Sequence, residues 1–304
     1  MSRKRPAWPR RYLASFFAAA AVLLPLTMGM TPFDASASPP PAPATGPAPF
    51  ANGSQMVTYY GWPHSNGMGV LGTFDSPQDA AKSLAGETAL VDSLNGARGA
   101  TGAMDLIYGM VSSDPGPDGI YVRYLDHDTT QSYIDAAKQN GEQVILDMQI
   151  GRGNVLDEVK KTEPFLGNAN VHVAIDPEYA VGPNGIPIET AGHITGDDIN
   201  QAQEYLDKLV QDHHLPPKML VVHQYMTDTI SNTGNIKQLP NVSLVLDMDG
   251  IGAPADKLSM YQKFAEQPWV QKRSYMVFLR ADSTVSSEQQ VLALNPSPDM
   301  IAFQ

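Results

Sequence analysis

The sequence predicts an α/β chain folded as a single (β/α)8 TIM barrel, and three observations predict it. Eight apolar, β-rich runs recur between residues 56 and 303. Helical patterns with recognisable starts lie between them. Segments that return to a strand are short, such as Asn140-Gly141-Glu142 and Leu239-Pro240-Asn241, whereas 61–75, 111–127 and 177–194, which leave strands, are long. A barrel carries its long loops on that one C-terminal face.

The elements follow in order. MVTYY (56–60) opens the series. Ser76-Pro77-Gln78-Asp79 then sets a capping residue before a proline at the first helical position, with Ala80, Leu84, Val91 and Leu94 on one face behind it. MDLIYGM (104–110) precedes Asp128 and Gln131, a second capping pair, and that helix is expected to stop at Asn140-Gly141. QVILDM (143–148) and VHVAID (171–176) come next. Thr195 then starts a stripe of helical period through Ile199, Ala202, Leu206, Leu209 and Val210. MLVVHQ (219–224) leads into 228–239, where a helix is expected on the least regular pattern. VSLVLDMD (242–249), SYMVFL (274–279) and MIAF (300–303) complete the strands, with Ser286 and Gln289 opening the last helix. Strand-helix alternation of this kind predicts parallel pairing. The rival, an open doubly wound sheet, lacks its Gly-x-Gly-x-x-Gly turn after the first strand. No helical pattern follows MIAF, so the eighth helix is expected to be missing, and a proline-rich spacer is available to cover the gap.

That spacer, SPPPAPATGPAPFANGS (38–54), is dominated by Pro, Ala and Gly and is expected to be extended. Before it, residues 1–37 have the form of a signal peptide: Arg3, Lys4, Arg5, Arg10 and Arg11, an apolar run, and the small-residue site Ala35-Ser36-Ala37. The expectation is a secreted protein cut near Ala37, with no stable membrane anchor after cleavage and residues 55–304 as one barrel domain. An uncleaved anchor is the alternative, since Leu13 to Met30 approaches spanning length.

The chain carries a net charge of −12, with 20 Lys+Arg against 32 Asp+Glu. Without the leader the balance is 15 against 31, or −16. Such a surface repels phosphate backbones, so nucleic acid is not an expected partner. There is no cysteine, and stability must come from an ordinary core.

Chemistry gathers at the strand ends. Asp147 and Gln149 end the third strand, Asp176 and Glu178 the fourth, Asp247 and Asp249 the sixth, and Arg280 and Asp282 are taken to end the seventh. Residues at i and i+2 share one side of a strand. His223 and Gln224 end the fifth, and the first runs into Tyr60-Gly61-Trp62 with His64 beyond. A lone pair of this kind is a helix cap or turn; four pairs at one barrel mouth point to a site, because crowded carboxylates raise one another's pKa at a cost to stability. Acids with aromatics (Tyr60, Trp62, Tyr179, Tyr225) suit glycosidic chemistry, in which one carboxyl protonates the leaving oxygen and another attacks or stabilises the sugar cation. Glu178 is the expected proton donor, Asp176 its tuner, and Asp249 or Asp282 its partner. Arg280 would hold Asp282 ionised or simply neutralise the crowding. Tyr60, Trp62, His64, Asp147, Gln149, Tyr179, His223, Gln224, Asp247 and Arg280 are expected to contact substrate. For any single aromatic, core packing is the plainer explanation. No cofactor and no metal is expected, because the histidines lack ligand spacing. His172 is expected in the core, and His213-His214 at a helix end.

YYGWP, LDMQIGRG, AIDPEY, LPPKMLVVHQY and LDMDGIG resemble a family of uncharacterised exported bacterial proteins taken to be glycoside-hydrolase-like TIM barrels. The likeness runs from about Met56 to the end and implies a barrel with working strand ends, without naming a substrate. The Asp176-x-Glu178 ending is also similar to the fourth-strand motif of chitinase-type and lysozyme-type glycosidases, in those two residues only. The expected function is therefore cleavage or binding of glycosidic linkages, with a carbohydrate or cell-wall glycan as partner. Two alternatives stand beside it: a metal-dependent hydrolase using the same Asp, Glu and His residues, and a barrel that binds cell-wall sugar without cutting it.

Overall fold

A computed structural model describes residues 48–63 and 65–304. The leader and residues 38–47 of the spacer lie outside the described residues, as does His64. Eight parallel strands close on themselves: β1 (Gln55–Gly61), β2 (Ala100–Val111), β3 (Gln143–Gly151), β4 (Val171–Ala180), β5 (Lys218–Gln224), β6 (Val242–Met248), β7 (Lys272–Val277) and β8 (Met300–Phe303). Closure is explicit in the register: β1 pairs with β8 through Met56↔Met300 and with β2 through Tyr60↔Asp105. The helices are α1 (Pro77–Leu94), α2 (His127–Asn140), α3 (Val155–Lys160), α4 (Glu163–Leu166), α5 (Gly196–His213), α6 (Pro254–Ala265) and α7 (Glu288–Leu292). Among the described residues no helix is long and apolar enough to cross a membrane.

Alternation sorts each strand into two faces. Val57, Leu106, Val144, Leu146, Val173, Ile175, Leu220, Val222, Leu244 and Leu246 face the helices in one large cluster. Met56, Ala103, Ile145, Ala174, Met219, Val245 and Met300 face inward and fill the N-terminal half of the barrel. Phe50 belongs to that inner cluster and is buried. The end of the expected spacer is therefore folded: residues 48–54 turn through a short 3-10 segment and set one aromatic ring against the barrel's bottom layer. An apolar ring there removes the opening from water, which Pro and Ala alone would not do.

The caps show where sequence signals compete. Ser76 accepts from the Asp79 amide at 3.1 Å and starts α1 as expected. For α2 the cap is Asp126, which accepts from Thr129 at 2.9 Å; Asp128 sits in the first turn. Thr195 and Asp198 form a reciprocal box at α5, and Ser287, not Ser286, caps α7. The helix expected over 228–239 does not form. That stretch holds a two-residue strand, Ile230–Ser231, paired with Ile194–Thr195, then a 3-10 turn after Asn232 at a left-handed φ of 52°. Thr, Asn, Ser and Gly compete for backbone hydrogen bonds here more strongly than its few apolar residues favour a helix. His172 is buried as expected, facing Gln143 Oε1 across 3.0 Å and accepting from the Met219 amide at 3.1 Å.

Candidate active site at the barrel mouth

Three inward positions of the lower mouth are carboxylates: Asp105 on β2, Asp147 on β3 and Asp247 on β6, all fully buried. Above them stand Asp176 and Glu178 on β4 and Asp249 just past β6. Asp105 escapes a reading limited to strand ends, because it lies in the middle of its run. Its signal was parity: it alternates with Ala103 and Ile107, so the apolar stretch MDLIYGM hides one inward acid.

Asp176, Glu178 and Asp249 each offer an oxygen within 4.8 Å of the others'. A kink in β4 makes this possible. Gln149 pairs with Asp176, but Gly151 pairs with Ala180, so β4 spends two extra residues around Pro177. The bulge breaks strict alternation and lets Tyr179, next in sequence, hydrogen-bond the Glu178 carboxylate. The loop after β4 then returns and clamps it. Gly192 N–H donates to the Glu178 carbonyl at 2.8 Å, and His193 N–H to the Ala180 carbonyl at 2.9 Å.

Cations are scarce in this cluster. His223 is the inward residue of β5, and its ring stands between three acids: Nε2 lies 3.9 Å from Asp147, and Nδ1 lies 3.8 Å from Asp247 and 3.6 Å from Asp249. These are charge contacts, longer than direct hydrogen bonds. Burial pushes His223 below its ordinary pKa, and Asp247 pulls it back in part. Tyr60 donates to Asp147 at 2.9 Å and meets the His223 ring edge-on at 5.9 Å.

Burial raises every carboxyl in the cluster. Glu178 is pushed up to about 7, first by desolvation and then, against a partial offset from Tyr179, by Asp147. Asp147 also rises to about 7, burial outweighing its bond from Tyr60. Asp176 and Asp249 are driven well above the carboxylate range by burial and next by the charge of Glu178. Groups this close titrate together, so these shifts belong to the trio and not to any one carboxyl. Oxygens of Asp105, Asp147, Asp176 and Asp249 are buried without a hydrogen-bond partner.

The structure brings together Tyr60, Asp147, Asp176, Glu178, Tyr179, His223, Asp247 and Asp249. It does not bring the others in. β7 ends at Val277, so Arg280 and Asp282 lie in the following turn and the two-residue rule does not apply to them. Asp282 folds back, accepting from Lys257 Nζ at 2.6 Å and the Phe278 amide at 3.1 Å, with its side chain 1 % exposed. Arg280 is exposed and donates to the Asn66 carbonyl. Gln224 has the opposite parity to His223; it donates to the Met226 carbonyl and accepts from Gln267. Gln149 faces inward but its oxygen is taken by the Val111 amide at 2.9 Å. Trp62 packs partly buried against the clusters beside β1, its amide bonded to Met68.

The oxygens of Asp176, Glu178 and Asp249 are also those that could hold a hard divalent cation, which prefers carboxylate ligands. Without one, a protonated carboxyl beside an ionised one in a partly desolvated mouth can donate and accept a proton at a bond lying between them.

No family model matches the chain, and no curated protein matches it. The likeness to exported bacterial proteins thus rests on the quoted segments alone. Among solved structures, a mutant class V chitinase from Nicotiana tobaccum in complex with NAG4 is similar at 8% identity and a TM-score of 0.44, covering 74% of this chain and 67% of its own. A GH18 chitinase from Pseudoalteromonas aurantia is similar at 11% identity and 0.42, covering 83% and 94%. A hyperthermophilic endo-beta-1,4-glucanase in complex with substrate is similar at 8% and 0.34, covering 67% and 76%. At such distances the fold stands on the chain's own strand pairing: this is a single (β/α)8 TIM barrel.

Proposed function

We propose that the protein is an exported glycoside hydrolase that cleaves glycosidic linkages in a carbohydrate such as a cell-wall glycan. The observation that carries this is the convergence of Asp176, Glu178 and Asp249 within 4.8 Å at the C-terminal mouth of the barrel. Glu178, partly exposed on its bulge and poised at about 7, is the proton donor. Asp249 is the partner carboxylate and Asp176 the group that tunes both. In retaining enzymes the two carboxyls stand about 5–5.5 Å apart, and in inverting enzymes roughly 6.5–9.5 Å, to admit a water. The short spacing favours direct attack by Asp249 and retention. Tyr225, whose pKa rises first with burial and then through the charges of Glu178 and Asp249, borders the same mouth.

The second reading, a metal-dependent hydrolase, draws on the same three oxygens as a divalent-cation site. One experiment separates them. Wild type and Glu178→Gln are incubated with a panel of soluble glycans, with and without prolonged EDTA treatment, and new reducing ends are counted. The glycosidase reading expects reducing ends from wild type, unchanged by EDTA and strongly reduced in the variant. Loss on chelation with recovery on zinc or calcium supports the metal reading instead. No reducing ends from any glycan would leave the proposal without support.

A further inference from the structure

We propose that the mouth takes a cationic sugar: a glycan whose free, protonated amine sits among Asp176, Glu178 and Asp249. This rests on the glycoside reading and narrows it to amino-sugar polymers that are not acylated at the reacting unit.

The mouth lacks compensating positive charge. Six carboxyls face the upper barrel, namely Asp105, Asp147, Asp176, Glu178, Asp247 and Asp249. Among the described residues no lysine or arginine donates to any of them. Lys257, whose charge reaches Asp247 and Asp249 without bonding to either, donates instead to Asp282 and the Met276 carbonyl at 2.6 and 2.8 Å, and Arg280 is bonded to Asn66. His223 alone touches three of the acids, and at 3.6–3.9 Å it bonds to none.

A second observation points to a ligand. Asp176 is 4 % exposed, and its Oδ1 has no partner although it belongs to the converging trio. Asp249 Oδ1 is likewise buried and unpartnered. A buried acceptor without a donor costs stability, and a folded protein retains it where something else supplies the donor. An ammonium carries three donors and no acceptor. Charge-assisted bonds to carboxylate run about 2.7–2.9 Å, so three acceptors placed tetrahedrally around one nitrogen lie roughly 4.6 Å apart. Oxygens of the trio all lie within 4.8 Å of one another, which accommodates that arrangement. Neutral hydroxyls would satisfy the oxygens but leave the charge uncompensated, and an anionic glycan would add to it.

The test is binding of four defined tetrasaccharides to the full chain by calorimetry at pH 6.5. They are the tetramers of glucosamine, N-acetylglucosamine, glucose in β-1,4 linkage and galacturonic acid. Charge-assisted bonds predict glucosamine tetramer binding roughly ten- to a hundredfold tighter than either neutral tetramer. The preference should shrink in 0.5 M sodium chloride and in Asp176→Asn, and the uronate should not bind. Comparison among ligands on wild type needs no variant to fold. Equal or weaker binding of the glucosamine tetramer overturns the inference and leaves the glycosidase reading intact. Binding of none of the four overturns both. Calcium that binds at micromolar concentration and excludes the glucosamine tetramer overturns it too, by assigning the trio to a metal.

Discussion

The amide of Gly192 donates to the carbonyl of Glu178 at 2.8 Å, and a β-carbon added at Gly192 would stand 2.4 Å from that same oxygen. It would also meet the Ala180 nitrogen at 2.5 Å. Both are backbone atoms that cannot rotate away. The loop after β4 thus closes on the bulge carrying the candidate acid only because position 192 has no side chain.

Gly192→Ala should therefore displace Glu178. A misplacement of about 1 Å at the chemistry can cost 10²-fold in rate. We expect kcat to fall by that order, with a smaller loss of thermal stability because the loop is at the surface. Steady-state kinetics beside a melting curve would check it. Unchanged kcat would mean the clamp does not position Glu178.

Asp282 should prove to be a stability residue. Lys257→Met leaves its carboxylate buried without the cation that holds it at 2.6 Å. Removing one partner of a buried pair typically costs about 3–5 kcal/mol, whereas replacing both is often far milder. Urea unfolding should show the single variant strongly destabilised and Lys257→Met/Asp282→Asn substantially recovered. A double variant no better than the single would contradict this. An Asp282→Asn protein that melts normally but has lost all activity would return Asp282 to the catalytic set.

Stability should fall as pH rises through neutrality. Glu178 goes from 4.5 to about 7, Asp147 from 3.8 to about 7, and Glu142, buried just before β3, from 4.5 to about 8. Each binds its proton more tightly folded than unfolded, so each contributes stability below about pH 4 that is lost as pH climbs through 7 to 8. Melting temperature should be higher at pH 5 than at pH 8. Asp105→Asn should flatten that slope, because burial also drives Asp105 well above the carboxylate range and both its oxygens lack partners. A melting temperature that rises from pH 5 to pH 8 would contradict the buried-acid account.

Most of the barrel was legible because period-2 alternation and capping are local. The eight runs fall on the eight strands, and Ser76 and Thr195 cap the helices they were expected to cap. What stayed hidden was non-local. Nothing in the order Arg280-Ala281-Asp282 says that β7 stops at Val277 or that Lys257, 25 residues earlier, claims the carboxylate. Gln224 was misplaced by a rule that was available: adjacent strand residues face opposite ways, so it and His223 could not share the mouth. Asp105 was readable by the same rule. The bulge at Pro177 was not, since it appears only when β4 is laid against β3.

The most direct measurement is hydrolysis of aryl glycosides with graded leaving groups by Glu178→Gln. General acid catalysis contributes about 10²–10⁴-fold, and only where the leaving oxygen needs a proton. The account predicts a kcat loss in that range for a phenyl glycoside and little loss for a dinitrophenyl glycoside, with the variant folded at pH 7. Equal activity of variant and wild type on both substrates, with a lowered melting temperature, would contradict it and make Glu178 part of a turn.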